Sequence, residues 1–337
     1  MFFMKKVAIL YLILAISSQA AAHHATSVAY DTNNLGTIEG TVTDIFWRNP
    51  HIVLTIERIL EDGSTEIWKA ESGSTNSLER INISRNIVNV GDHVVLLGAL
   101  SRRGLTAMAA YTMTLDSGRE IPLWPFRAAS IGWDVTTAPI ASAAAEASEL
   151  AARGIFRIWS RTGTGLDSHL PFTPAALAAR ETWDPLADDP ALRCIPPGMP
   201  VMMNNPYPIE FIDEGDAITL RLEEWDGVRT IHMPANVSPQ DQAPTSTGYS
   251  VGRWENNTLV VTTMHISERF FDDLGTPQSP DVEVVERFIL NEAADQLDYR
   301  VVINDSGTFT EPATQIGVWF WNPGEEIKPF QCALLQG

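Results

Sequence analysis

Residues 249–266 read YSVGRWENNTLVVTTMHI, two runs of β-favouring residues on either side of Asn256 and Asn257. Asn tolerates the left-handed backbone that a two-residue hairpin turn demands, so the spacing predicts a tight hairpin. Upstream, AITLRLEEWDGVRTIHM (217–233) reads as a second hairpin, turning at Asp226 and Gly227. Downstream, DVEVVERFIL (281–290) and DQLDYRVVIND (295–305) read as further strands. Consecutive hairpins build a meander, and an up-and-down barrel of the lipocalin type closes one with no free edge. GIFRIWS (154–160) adds a strand carrying Trp159, and Thr173 with Pro174 marks the cap and first turn of a helix.

Residues 36–124 repeat the theme in shorter units: TIEGTVTDIFW, HIVLTIERI, TEIWKAE, HVVLLGAL and AYTMTL, separated by turn-forming residues. Five or six strands in this length predict a small OB-like barrel. Between the two patterns lies ASAAAEASELAAR (141–153), bounded by Pro139 and Gly154, which reads as a short helix. The expected fold is mostly β: an OB-like barrel domain over 23–125, a linker with a short Ala-rich helix over 126–153, and a lipocalin-like antiparallel barrel over 154–337.

The first 22 residues, MFFMKKVAILYLILAISSQAAA, place Lys5 and Lys6 before an apolar run that ends in small residues. That order predicts a cleaved secretory signal and a periplasmic or secreted product. The apolar run falls short of the roughly 20 residues that span a bilayer, so no integral membrane segment is expected after cleavage. Loss of the two lysines takes the net charge from −19 to −21. Such a charge repels phosphate backbones and excludes nucleic acid as a partner. Cys194 and Cys332, the two cysteines of the chain, are expected to pair in an oxidising compartment.

His23-His24 just after the signal, Tyr30-Asp31, and Trp47-x-Asn49-Pro50-His51 stand in order in the N-terminal half. Through them it resembles a family of uncharacterised exported proteins of Gram-negative bacteria. The C-terminal half is similar to a second uncharacterised module, through Cys194, Pro196 and Gly198; Glu223, Arg229 and His232; Gly252-Arg253-Trp254-Glu255; and Glu286-Arg287-Phe288. The chain departs from that second pattern at Pro234 and Asn257, where acidic residues are usual. These resemblances imply an architecture and a compartment, with no activity attached.

Two constellations can carry chemistry. Cleavage before His23 would leave a free amine beside two imidazoles, a nitrogen set favoured by copper, with His51 as the third side-chain ligand. Cleavage before Ala22 would instead leave Ala-His-His, a square-planar copper site; a frayed polar terminus is the plain alternative. In the second barrel, Glu286 shares strand parity with Val284 and Phe288 and should point into an apolar interior. With Glu223, His232, Arg229 and Arg287 it forms a candidate acid–base set, and Trp254, Glu255 and His265 are candidate ligand contacts. The structural alternative is a buried Glu–Arg network that closes the barrel.

The leading expectation is an exported protein that binds a small apolar molecule in its second barrel, with copper at its processed N-terminus. A lyase, hydratase or isomerase using the same residues is the enzymatic alternative, and an interaction module of the cell envelope the third. The chain has no Gly-x-Gly-x-x-Gly or His-Glu-x-x-His motif, which disfavours nucleotide and zincin chemistry.

Overall fold

The structure is a computed structural model, described here for residues 26–135, 142–161, 166–184, 187–233 and 242–334. The expected signal over residues 1–22 and the candidate ligands His23 and His24 lie outside these residues. A single turn of helix, α1 (Thr26–Ala29), leads into the first sheet. Its strands are β1 (Tyr30–Phe46), β2 (Val53–Ile59), β3 (Thr65–Glu71), β4 (His93–Ser101), β5 (Ala107–Leu115) and β6 (Glu120–Pro122).

β1 to β5 close on themselves in the order β1-β2-β3-β5-β4, with β3 and β5 parallel and the other pairs antiparallel. This is the OB-like arrangement, and α2 (Thr75–Glu79) sits in the β3–β4 connection. Val42, Leu54, Ile56, Leu96 and Met113 fill its interior. Gly98 is required where β4 bends against β5, because a Cβ there would collide with the Ala109 carbonyl.

α3 (Pro125–Ser130) and the Ala-rich α4 (Ser142–Ala151) connect the barrels, and Gly154 follows α4 at φ +56°. The second sheet begins with β7 (Ile158–Ser160) and β8 (Asp167–His169). α5 (Pro174–Glu181) follows, its N-terminus capped as expected by the Thr173 hydroxyl, which accepts from the Ala176 amide. Thr173→Ala should cost about 1 kcal/mol, read as a lower urea midpoint at unchanged slope.

The remaining strands are β9 (Ile209–Asp213), β10 (Ala217–Leu222), β11 (Gly227–His232), β12 (Tyr249–Glu255), β13 (Thr258–Met264), β14 (Glu283–Asn291), β15 (Gln296–Asn304) and β16 (Ala313–Trp321). The barrel has nine strands: β7 joins β9 to β16, and β16 returns to β15. The hairpin that opened the sequence analysis is present, with Glu255 opposite Thr258 and Asn256 at φ +57°.

Two details differ from the expected meander. β11 and β12 run parallel, joined by a crossover rather than a hairpin. The β10–β11 turn comprises residues 223–226, with Gly227 already paired to Leu222. Trp225 and Asp226 take the left-handed backbone there. After β16 the chain leaves the second barrel and crosses to the first, where Cys332 bridges to Asn49. Trp159, Phe211, Phe288, Tyr299 and Trp319 fill the second core.

Candidate functional site

The side chains proposed as one acid–base set are distributed over three places. Glu286 does point into the second barrel, as its parity with Val284 and Phe288 requires, and it is fully buried. Arg229, 1% exposed, meets it in a two-pronged ion pair and also donates to Ser250 (2.9 Å) and Thr263 (2.7 Å). The Tyr299 hydroxyl donates to Glu286 at 3.0 Å. Burial first, and the neighbouring Glu286 charge second, hold the Tyr299 phenol well above its ordinary pKa. Every charge here has a hydrogen-bonded partner, which makes this cluster the ion-pair network of a closed barrel.

His232 is not part of it. On β11 the inward positions are Arg229 and Ile231, so His232 faces outward, where it stacks on Tyr249 with ring centres 4.6 Å apart. Arg287 is likewise outward and pairs with Glu255 at 2.9 Å, and Glu255 also holds Arg253. Trp254 is 43% exposed on the outer surface. His265 takes φ +54° just past β13 and keeps its Nε2 buried without a hydrogen-bond partner among the described residues.

Glu223 stands apart from Glu286 because it belongs to the β10–β11 turn rather than to a strand. It is fully buried between the two barrels. Arg80 of the first barrel grips it with two bonds of 2.6 Å, Asn76 donates at 3.0 Å, and the Lys328 amide donates at 2.9 Å. Asn49 extends the network, bonding Asn76 at 2.8 Å and the Phe330 carbonyl. The Cys194–Cys332 disulfide, present as expected, ties this crossing segment to the second barrel.

Beside the network lies a cleft of about 170 Å3 walled by both barrels. Tyr30, Pro50, His51 and Glu71 come from the first, and Trp183, Trp225 and Phe270 are among those from the second. Among the described residues, six carboxylates line it (Glu71, Asp189, Glu224, Glu268, Asp272 and Asp273) and no lysine or arginine does. Burial raises the pKa of Asp272 despite the nearby Arg180.

His51 has a defined orientation. Its Nδ1 lies 2.9 Å from the Ser72 carbonyl, which can only accept, so Nδ1 carries a proton and, in the neutral ring, Nε2 presents its lone pair. That lone pair faces Glu71, 3.6 Å away, and Glu71 in turn accepts from the Tyr30 hydroxyl at 3.0 Å. Among the described residues, no three His, Cys, Asp or Glu side chains converge as a metal site.

Sequence reasoning missed Arg80, Asn76, Glu71 and Trp183, which acquire their roles only when the barrels dock. No curated protein is similar to this chain in sequence. Residues 11–109, a stretch that includes His23, His24, His51 and Glu71, match the model of a family of unknown function, DUF6152.

Proposed function

We propose that this chain is an exported, periplasmic or secreted, small-ligand-binding protein whose site is the cleft between the barrels, and that the ligand there is copper held at the processed N-terminus. The observation that carries this reading is the pair formed by His51 Nε2 and the Glu71 carboxylate, two potential ligand atoms 3.6 Å apart on the wall of the cleft. A cation placed between them would satisfy both, and the acidic lining of the cleft favours one. The imidazole's second nitrogen is already anchored on a carbonyl, as in protein metal sites generally.

Signal removal before His23 supplies the remaining ligands: the terminal amine and the rings of His23 and His24. Tyr30, hydrogen-bonded to Glu71, stands six positions after His24, with the single turn of α1 between them, so the processed terminus starts close to the cleft in sequence. Copper suits an amine and imidazole set better than the harder divalent cations do. The apolar-ligand and acid–base readings of the second barrel are not retained, because aromatic and aliphatic side chains fill its core and His232 lies outside it.

Calorimetric titration of correctly processed protein with Cu(II) is the test. One equivalent should bind, and His51→Ala should weaken it by at least about tenfold, with Glu71→Gln weakening it less. Unchanged affinity in both variants would remove the site from the cleft.

A further inference from the structure

The wall that the second barrel gives the cleft carries an aromatic surface that a metal ion at His51 and Glu71 leaves unused. Trp183 and Trp225 both line it. Gly275 takes φ +72°, and a Cβ there would come within 2.4 Å of the Trp183 ring. Bare backbone therefore backs that indole, while Phe270 meets it edge-on with ring centres 4.7 Å apart. Trp225 is fixed by its left-handed backbone, φ +61°, and by Phe330, 5.1 Å away between ring centres. Indoles already held in place attract a cation without a further cost in side-chain ordering.

The carboxylates of the lining select the charge of a ligand, and the bonds they already make select its chemistry. Glu268 accepts from the amides of Gly198, Arg269 and Phe270. Asp272 accepts from the amides of Leu274 and Thr276 and from the Thr276 hydroxyl. Both oxygens of Glu224 are bonded by the Asn205 amide, at 2.7 and 2.6 Å. These donors are neutral, so they occupy lone pairs without cancelling charge. Arginines outside the lining act on two of the six, Arg180 on Asp272 at 3.9 Å and Arg161 on Glu224, and Arg269 lies over the Phe270 ring. The cleft thus joins negative potential and aromatic rings to carboxylates whose acceptor positions are largely taken. A primary ammonium or a hard metal ion would need those positions to replace its water. A quaternary ammonium has no N–H to satisfy, and aromatic faces suit it.

We propose that the second-barrel wall of the cleft binds a quaternary ammonium group of the trimethylammonium type, with Trp183 and Trp225 against its methyl groups and the surrounding carboxylates balancing its charge. The inference rests on the cleft being the binding site of this protein, and it does not require copper to be in place. Free choline and a choline-bearing lipid headgroup share this chemistry. A cleft of about 170 Å3 has room for the headgroup and none for acyl chains.

The test is calorimetric titration of the full processed protein, freed of metal by a chelator, with choline, with its uncharged isostere in which carbon replaces the nitrogen, and with ethanolamine. Choline should bind at one equivalent, and the other two at least about tenfold more weakly. Sedimentation with phosphatidylcholine vesicles separates the sources: choline binding alone assigns the free ion, and capture by the vesicles as well assigns the lipid headgroup. Trp183→Leu should weaken choline binding by at least about fivefold, and so should Asp272→Asn, which keeps the side-chain shape and serves if the Leu variant does not fold. No saturable binding of choline or of the vesicles would overturn the proposal. So would equal binding of the isostere or of ethanolamine, or a choline affinity unchanged in whichever variants fold. Cu(II) binding by the same preparation without choline binding would overturn this inference and leave the copper reading standing, whereas choline binding without Cu(II) binding would support it and remove the copper reading alone.

Discussion

Arg229→Met is expected to destabilise the second barrel by about 3–5 kcal/mol, most of it the cost of leaving Glu286 buried without its cation. The pair sits at the centre of the closed sheet, on adjacent parts of the wall: Arg229 reaches from β11 past Ser250 of β12 and Thr263 of β13 to Glu286 of β14. It therefore spans the parallel β11–β12 joint, where the register is only two residues long. Replacing both members with apolar residues, Arg229→Met with Glu286→Leu, should recover most of the loss, because no charge is then left unpaired. Urea unfolding of the single and double variants measures the coupling directly. A single-variant loss below about 1 kcal/mol would show that the pair is hydrated rather than buried.

Removing the disulfide, with Cys194→Ser and Cys332→Ser together, should cost about 4–5 kcal/mol. The bond closes a loop of 138 residues, and constraint of the unfolded chain grows with loop length. Its local effect is more specific. Residues 322–334 carry the Lys328 amide to Glu223, the Phe330 amide to Asp226 and the Ala333 amide to Asn49, so the segment fastens one barrel to the other. Without the covalent tie, limited proteolysis should cut after β16 before it cuts either barrel, and thermal unfolding should begin at a lower temperature. Wild-type resistance in the double variant would show that the hydrogen bonds alone hold the segment.

Legibility in the sequence follows the range of the interactions. The Asn256-Asn257 turn, the cap at Thr173, the short strands of the OB-like barrel and the inward parity of Glu286 are all set by neighbours a few residues away, and all are present. Parity could also have placed His232 outside, since Arg229 and Ile231, three and one residues earlier, fix the inward face of β11 in the same alternation. Glu223 was misplaced for a different reason. It looks like the end of a strand, but the turn begins at Glu223 itself, three residues before the Asp226-Gly227 signal. The parallel β11–β12 pairing and the capture of β7 between β9 and β16 have no local signature at all, because closure of the whole sheet decides them. The cleft is further still from local patterning. His51 stands out in the sequence as a candidate ligand through its Asn49-Pro50-His51 motif, yet Glu71, Trp183 and Arg80 gain their meaning only from the docking of two barrels.

The most direct measurement is a native mass spectrum of the protein purified from its own compartment, compared with that of His51→Ala. The account predicts a chain beginning at His23, lighter by the hydrogens of one disulfide and heavier by one copper ion, with the copper lost from the variant. A mature chain that carries no metal, or that keeps it equally well without the His51 ring, would contradict the claim that the cleft is a copper site.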